Sequence, residues 1–330
     1  MPGVQKILWS ARIAAREEVE VTGTTSNHLF LLIGFQLPWP MEVLLFVALL
    51  VVFLLTLAGN ITIITLVCLT QRLQTPMYFF LCNLSLLEIL FVLTVTPKTL
   101  VNLVSLNKTI SFIGCAAQCY FYFFLGTCEI ILIAVMAFDR YVAICHPLRY
   151  LVIINGHVCI SLVLACWIGA LLNNFVPVIL LAWLSFCGSN VIDHFFCDYA
   201  PMVKLSCNDV HLPLALEAIL SAIVLLSSMS VTGISYLYIV ATILRMHSTQ
   251  GRLKTFSTCA SHLTVASIFY GSAIFMYSLP SQGRSRDVQK AVAVLTAVVT
   301  PLLNPFIYSL RNEKVKEAFR DCLRKKKFVL

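Results

Sequence analysis

Charge is scarce in this 330-residue chain. Asp, Glu, Lys and Arg make up 12% of it and apolar types 59%, whereas a soluble domain carries about 25% charged residues. Stretches that lack all four charged types include 43–71, 89–97, 109–128, 158–192, 255–283 and 291–310. A bilayer core needs about 20 mainly apolar residues per helix, and only helices or closed barrels satisfy the backbone in lipid. Because the runs do not alternate strictly, they predict membrane-spanning helices and exclude a soluble protein.

We predict an all-α membrane protein, a seven-transmembrane helix bundle followed by a short C-terminal amphipathic helix. The predicted spans are 41–69, 77–104, 113–140, 158–183, 212–244, 256–279 and 288–310. Residues 1–40 form an extracellular tail, 41–310 the helix bundle and 311–330 a cytoplasmic helix with a basic tail. Most of the 23 Lys and Arg lie in loops after odd-numbered spans and in the last tail. The positive-inside rule places these residues in the cytoplasm and the N-terminus outside.

Several other features are missing. The chain has no His-Glu-x-x-His, Ser–His or paired-Asp arrangement, so we do not expect an enzyme. An odd number of spans without an internal repeat argues against most transporter designs, although a transporter or channel stays the alternative from another function class.

The first 25 residues lack a signal peptide's apolar core and cleavage site, so we expect the first span to direct insertion. Residues 5–18 could form a basic amphipathic helix or stay unstructured.

The chain contains 13 cysteines, most of them inside predicted spans, where a thiol acts as a small hydrophobe. Four fall on the predicted outer side: Cys115, Cys187, Cys197 and Cys207. Disulfides are expected in that oxidising environment, and four cysteines allow three connectivities. The segment HFFCD at 194–198 could instead supply metal ligands. The competing interpretation is a disulfide cysteine beside a solvated histidine.

Three acids lie inside predicted spans and away from their ends: Glu88, Glu129 and Glu217. Helical rise places Glu88 and Glu129 at one depth, about 16 Å from the inner end, with Asn60 near that level and Asn304 about a turn lower. Two carboxylates at one level repel each other unless a proton or cation intervenes. The pattern therefore predicts either a sodium ion held by Asn60, Glu88 and Glu129, or one protonated glutamate bonded to the other.

Five segments, in order, carry a family resemblance. They are PMYFFL at 76–81, MAFDRYVAIC at 136–145, SY at 235–236, KTFSTCASHL at 254–263 and PLLNPFIYSLRN at 301–312. Together they resemble the odorant (olfactory) receptors, a branch of the rhodopsin-like (class A) G-protein-coupled receptors. The match runs from about 30 to 319, and the loop lengths resemble the tetrapod-type (class II) branch.

This resemblance implies specific pairings and partners. It implies the disulfides Cys115–Cys197 and Cys187–Cys207, and an acidic ion site at Glu88 and Glu129, so the only cofactor expected is a sodium ion. It implies a set of G-protein coupling and switch residues: Asp139, Arg140, Tyr141, Tyr236, Asn304, Pro305 and Tyr308. In that set Arg140 anchors the inactive state and then contacts the G protein. The implied partners are an odorant, membrane lipid and a heterotrimeric G protein of the stimulatory olfactory type that raises cyclic AMP, with no nucleic acid.

The chain departs from the family at Gln74, where a histidine is usual, and in a long N-terminal tail without a glycosylation sequon. Asn107, in Asn-Lys-Thr of the first outer loop, is therefore the glycosylation candidate.

The segment 313–323 predicts an amphipathic helix on the inner leaflet, where Cys322 could be palmitoylated or remain a free thiol. We expect the receptor to lie in the plasma membrane.

The outer half of the bundle should hold the ligand, because such sites lie between helices. Residues spaced by three to four positions share a helix face, which predicts a site lined by Tyr122, Phe123, Gly126, Thr127, Leu220, Ser221, Val224, Tyr270, Ala273 and Tyr277. The resemblance makes Tyr270 the switch beneath the ligand, and ordinary packing is the alternative for each position. Because the third span has no carboxylate near Tyr122, we expect a neutral, volatile, mostly apolar ligand. A non-olfactory class A receptor for a small hydrophobic metabolite is the other interpretation.

Overall fold

The computed structural model describes residues 29–187, 189–278, 286–310 and 313–327. Long helices fill most of it, and we number them first to seventh. The first six are Trp39–Leu69, Pro76–Val104, Phe112–Cys145, Gly156–Ala182, His211–Leu244 and Thr249–Ser278. The seventh runs as Arg286–Val294, a π-helical Leu295–Val299 and Thr300–Leu310.

The remaining helices are short or terminal. One-turn 3₁₀ helices lie at Gln71–Leu73 and Pro147–Arg149, and short α-helices at Tyr150–Ile153 and Tyr199–Val203. Glu313–Lys327 forms a terminal helix whose Val315 and Ala318 are buried against the apolar cluster of the bundle. A helix thus covers 313–323, whereas its amphipathic character and its position on the inner leaflet stay predictions.

Six of the helices are long and apolar enough to cross a membrane, among the residues that the structure describes. The sixth helix has a shorter apolar stretch, Cys259–Phe275. Two boundaries differ from the expectation. The third helix continues to Cys145 rather than ending at 140, and the sixth begins at Thr249 rather than 256. Helical hydrogen bonds satisfy the backbone on both sides of a membrane boundary, so a change in hydropathy does not end a helix.

The third helix lies at the centre of the bundle and contacts the second, fourth, fifth and sixth helices. The first helix packs against the second and the seventh. At the latter contact, a Cβ atom at Gly59 would lie 3.1 Å from the Pro305 side chain. A glycine at position 59 therefore allows these two helices to approach closely. The outward surfaces are apolar, with Leu54, Ile223 and Leu226 more than half exposed, as a lipid-facing surface requires.

One end of the bundle carries a small sheet that the all-α expectation did not include. Strand β1 (Leu29–Leu32) pairs antiparallel with β2 (Thr109–Ser111) and parallel with β3 (Val191–Ile192), so the strand order is β2-β1-β3. We call these strands, with the loop 183–210, the cap. Strands of two to four residues give too little alternation for sequence periodicity to detect, since their pairing partners come from distant segments.

Two disulfides hold the cap. Cys115 at the start of the third helix pairs with Cys197, and Cys187 pairs with Cys207 within the loop. These are the pairings that the family resemblance implies. Gly34 follows β1 with φ of 66°, a conformation that favours glycine. The amide N–H of Gly34 donates to the carbonyl of His194 at 3.1 Å, so this turn fastens the N-terminal segment to the loop.

Candidate functional site

Tyr270 of the sixth helix is the polar centre of the bundle's cap-side half. Its hydroxyl lies 2.6 Å from the Ser228 hydroxyl and 2.9 Å from the Thr232 hydroxyl, both on the fifth helix. Ser228 donates to the carbonyl of Ile130 on the third helix at 2.7 Å. Since Ser228 has one proton, it accepts from Tyr270. This network joins three helices, and the sequence had identified only Tyr270 of its three hydroxyls.

The surroundings of Tyr270 are apolar. Ala273 and Ala266, about one turn away on either side, are buried with it in a cluster that includes Leu225 and Ile133. Serine and threonine are common in membrane helices, where they bond to their own backbone, so Ser228 and Thr232 gave no distinctive sequence signal. The side chain of Tyr277 lies outside the described residues.

The four predicted residues of the third helix divide between two directions. The Tyr122 ring packs 5.0 Å from Phe91 of the second helix and 4.5 Å from Phe196 of the cap. Gly126, one turn on, also faces Phe91. Tyr122 and Gly126 therefore share a face of the third helix. The four predicted residues do not all share one face, because neighbouring residues are rotated by about 100° on a helix.

The other two residues face the cap and the fourth helix. Phe123 lies edge-on to Tyr199 at 6.4 Å. The Thr127 hydroxyl accepts a hydrogen bond of 3.1 Å from the amide of Asn174 on the fourth helix. Thr127 is thus part of a buried interhelical contact, which is the packing alternative left open for each position.

The fifth-helix residues Leu220, Ser221 and Val224 are half-buried, and Ser221 donates to Glu217 at 3.0 Å. Glu217 is an acid that the sequence singled out without giving it a role. In the cap, burial and the charge of Glu217 raise the pKa of Tyr199, which places this carboxyl near the loop. One acid beside the candidate pocket, Glu217, therefore lies on the fifth helix, whereas the ligand expectation had considered only the third.

A second polar cluster lies deeper, between the first, second, third and seventh helices. Asn304 donates to one carboxylate oxygen of Glu88. Asn60 donates to the carbonyls of Thr56 at 3.1 Å and Pro301 at 3.4 Å. Glu88 and Glu129 are almost completely buried, at 0% and 2% exposure. The structure thus brings Glu88 into contact with Asn304 and leaves Asn60 and Glu129 beside them.

Three oxygens of this cluster are buried without a hydrogen-bond partner among the described residues: Asn60 Oδ1, Glu88 Oε2 and Glu129 Oε1. Buried polar atoms are normally satisfied, and two buried carboxylates require a proton or a cation. Oxygen donors suit a hard cation. The donor set therefore fits sodium, and no group of three or more His, Cys, Asp or Glu suited to another metal occurs in the described ranges.

The HFFCD segment does not provide a metal site, because the Cys197 thiol is bonded to Cys115. His194 is not solvated either, with only 4% of its surface exposed. Its ring stacks on Phe195 at 4.8 Å, and its Nδ1 accepts from the amide of Phe196 at 3.5 Å. Burial and, next, the charge of Lys290 lower the pKa of His194 to about 3.

The opposite end of the bundle holds an ion pair within one helix. Arg140 binds the Asp139 carboxylate, and the Tyr150 hydroxyl donates to the other Asp139 oxygen at 2.7 Å. Burial and the Asp139 charge raise the pKa of Tyr150, so it remains a donor. Tyr141 contacts His146 at 3.1 Å. The sequence analysis gave Tyr150 no role, because it lies outside the third span.

The fifth and sixth helices also meet at this end. The Tyr236 hydroxyl lies 2.8 Å from His262 Nδ1, and both side chains are buried. His262 stood alone in the sequence, so only the tertiary structure reveals its partner. Pro305 is buried inside the seventh helix. The side chain of Tyr308 and residues 311–312 lie outside the described residues.

Comparison with known proteins gives a consistent result. Residues 49–326 match a family model described as "Olfactory receptor". Olfactory receptor 6J1 of Homo sapiens is 51% identical over 292 residues, covering 88% of this chain and 84% of the relative. Olfactory receptor 6T1 of Homo sapiens is 49% identical, covering 89% and 91%. Olfactory receptor 287 of Rattus norvegicus is 49% identical, covering 90% and 96%.

Proposed function

The chain belongs to the olfactory receptor family, and from that membership we propose that it binds a small, mostly apolar volatile odorant and activates a stimulatory olfactory-type G protein, raising cyclic AMP. As a member it is a multi-pass membrane receptor with a seven-transmembrane bundle and not an enzyme. We propose that the cap is extracellular and the opposite end cytoplasmic, in agreement with the positive-inside rule.

The odorant site proposed here lies between the cap and Tyr270. Supporting it are the half-buried Leu220, Ser221 and Val224 on one wall and the buried Ala273 and Tyr270 on another. Phe123 and Tyr122 contact the cap through Tyr199 and Phe196, and Tyr277 stays a proposed contact. These side chains offer mainly dispersion contacts. Ser221 and Tyr270 could each give one hydrogen bond in exchange for their present partners, Glu217 for Ser221 and the fifth-helix hydroxyls for Tyr270. Thr127 contributes less directly, because its hydroxyl is bonded to Asn174.

The observation that carries the mechanism is the hydroxyl network of Tyr270 with Ser228 and Thr232. It fastens the sixth helix to the fifth at the base of the proposed pocket. An odorant that competes for the Tyr270 hydroxyl weakens this connection and favours outward movement of the sixth helix. Such a ligand shifts the receptor population only if it binds the active state more tightly.

Movement of the sixth helix would separate Tyr236 from His262 and open the cytoplasmic end. In the described state Arg140 is held by Asp139, and Tyr150 occupies the other carboxylate oxygen. We propose that release of Arg140 exposes it to a helix of the G protein. Tyr141, Asn304, Pro305 and Tyr308 are the further switch positions of this proposal.

We propose sodium for the deep cluster of Asn60, Glu88, Glu129 and Asn304. Its three unpartnered oxygens support this assignment. The ion would stabilise the described state by neutralising two buried carboxylates, and it would be released when the seventh helix moves.

An odorant panel screened with a cyclic AMP reporter, with surface staining as the expression control, tests the proposal. Arg140→Ala should abolish the odorant response while surface staining is retained, because the G protein loses its cationic contact. Arg149→Ala, a change at an exposed base of the 3₁₀ helix that follows the third helix, is the matched control and should respond normally. An undiminished response of Arg140→Ala would rule out the role given to this residue.

A further inference from the structure

Glu217 lies on the same wall as the fifth-helix residues of the proposed odorant site. It is half-buried, and its Oε1 accepts a hydrogen bond of 3.0 Å from the hydroxyl of Ser221. Residues three to four positions apart share a helix face, so Glu217, Ser221, Val224 and Ser228 form one stripe. The stripe ends at the partner of Tyr270, since Ser228 contacts that hydroxyl. The carboxyl group of Glu217 therefore marks the cap-side end of this wall.

The chain supplies no base to neutralise Glu217. None of the ion pairs in the part of the chain that the structure describes includes it, and the fifth helix contains no Lys or Arg. The charge that acts on Glu217 is that of another acid, Asp198 of the cap. An acid inside a membrane span is costly and usually has a partner. Here a cation from outside the chain would be that partner.

The wall below Glu217 is apolar, which favours an organic cation over an inorganic one. Leu220 and Val224 follow it along the helix, and Ser228 lies about 16 Å farther from the cap. On the sixth helix, Ala273 and Tyr270 are buried in an apolar cluster. A metal such as calcium needs six to eight oxygen ligands, and no group of three or more suitable side chains occurs in the described ranges.

We propose that Glu217 determines the ligand class of the odorant site, which takes a small alkylamine or benzylic amine in its protonated form. The ammonium would donate to the Glu217 carboxylate, and the hydrocarbon body would extend along Leu220 and Val224 toward Tyr270. Asp198 would add to the negative potential at this end. The inference rests on the proposed odorant site, and it replaces the neutral ligand expected from the third helix alone.

An amine satisfies both requirements of such a ligand. Its free base is volatile and mostly apolar, whereas in water near pH 7 an alkylamine is protonated, like the side chain of lysine. A hydrogen bond between charged groups is stronger than one between neutral groups. The carboxylate should therefore distinguish an amine from an alcohol of the same size and shape.

The test measures binding to the full chain in nanodiscs of zwitterionic lipid, without a G protein. The probes are hexylamine, cyclohexylmethylamine and benzylamine, each compared at pH 7 with the alcohol of the same skeleton. Ligand binding raises the melting temperature in a concentration-dependent way, so a titration gives the affinity of each probe. In at least one pair the amine should bind about ten- to a hundredfold more tightly than its alcohol, as expected for one charged hydrogen bond.

Three variants assign the preference to one residue. Glu217→Gln keeps the shape and an acceptor for Ser221 but removes the charge, so it should abolish the advantage of the amine and leave alcohol binding unchanged. Glu217→Asp keeps the charge and should retain the preference. Asp209→Asn, at an exposed acid just before the fifth helix, removes the same charge outside the pocket and should bind both probes like the unmodified receptor.

Alcohols that bind as tightly as the amines in all three pairs would overturn the proposal. An amine advantage that survives Glu217→Gln would do the same, and so would one lost equally in Asp209→Asn, which would attribute it to the overall charge of the outer surface. None of these outcomes involves cyclic AMP. A receptor that signals to neutral odorants without preferring amines would contradict this inference alone, whereas amine binding without signalling would contradict only the proposed G-protein coupling.

Discussion

Single polar side chains determine how the helices of this receptor are joined. Tyr270 bonds to two hydroxyls of the fifth helix, Thr127 to Asn174 of the fourth and Glu88 to Asn304 of the seventh. Lipid gives helices little hydrophobic reason to associate, so interhelical hydrogen bonds and close packing decide their arrangement. Each of these residues should therefore affect stability as well as signalling.

Tyr270→Phe should lower the thermal stability of the detergent-purified receptor by about 1 kcal/mol. It removes one hydroxyl and leaves Ser228 and Thr232 without that partner, and contacts of this kind contribute about 0.6–1.7 kcal/mol in membranes. Melting followed by tryptophan fluorescence is the measurement. Tyr238→Phe, at an exposed position of the fifth helix, is the control; equal melting of the two variants would contradict the role of the network.

His194 should make the cap sensitive to acid. Its pKa is lowered from 6.5 to about 3 by burial, with the Lys290 charge adding to the effect and Asp193 opposing it. The unfolded cap binds the proton first, so folding stability falls as pH drops below 6.5, by about 2 kcal/mol at pH 5. His194→Phe should lose this part of the pH dependence.

The unmodified receptor must be compared with His194→Phe because protonation of Asp198 changes the folding stability of the cap in the opposite direction. Burial raises its pKa from 3.8 to about 6, so protonation below pH 6 favours the folded cap. Melting of both proteins at pH 7 and pH 5 isolates the histidine contribution. A variant whose melting temperature falls as much as that of the receptor would show that His194 is not responsible.

Among the structural elements, the cap is the one whose attachment depends on charge. Lys290 lies in the first part of the seventh helix and is only 5% exposed, yet it contacts Asp193 at 2.6 Å and the Gly34 carbonyl at 2.8 Å. These bonds join the seventh helix to the loop and to the segment after β1. The disulfide between Cys115 and Cys197 makes the corresponding attachment to the third helix.

Lys290→Met should loosen the cap without unfolding the bundle. The variant keeps the aliphatic stem and removes the charge, so residues 29–34 lose one of their anchors. Hydrogen–deuterium exchange in this segment should become roughly tenfold faster, as for the loss of about 1.4 kcal/mol in local opening free energy. Arg245→Met, at an exposed base of the opposite end, should leave exchange unchanged. Unaltered exchange in Lys290→Met would mean that the sheet and disulfides alone hold the segment.

For the whole molecule, the two ends of the bundle are connected through the deep acidic cluster. Glu88 and Glu129 lie between the proposed odorant site and the Asp139–Arg140 pair, on the second and third helices that run through both regions. Any rearrangement of the seventh helix changes the Asn304 contact with Glu88. The cluster is thus placed where a bound ion would report on the state of the entire bundle.

Sodium should raise the melting temperature of the receptor relative to an equal concentration of N-methylglucamine. Glu129→Gln should abolish most of this difference, because it removes one of the two charges that hold the ion. Glu217→Gln, which alters an acid near the cap, should retain it. If sodium has no effect on the unmodified receptor, the cluster carries a proton in place of the ion.

Most of the architecture followed from the sequence alone. Long uncharged runs determined the helices, because lipid penalises an unsatisfied backbone and a buried charge. The motifs determined the family, and helical rise placed Glu88, Glu129 and Asn60 at one depth. The sequence could not determine which face of the third helix meets which neighbour, since interhelical rotation depends on packing among several helices.

Only the tertiary structure decided the rest. It brought Ser228 and Thr232 to Tyr270, joined His262 to Tyr236, and divided Tyr122 and Gly126 from Phe123 and Thr127. It also built the cap sheet from three distant segments and buried His194 in it. Residue spacing determines which side chains share one face of a helix. Contacts between helices and strands arise from long-range packing, which the periodicity of a single sequence does not specify.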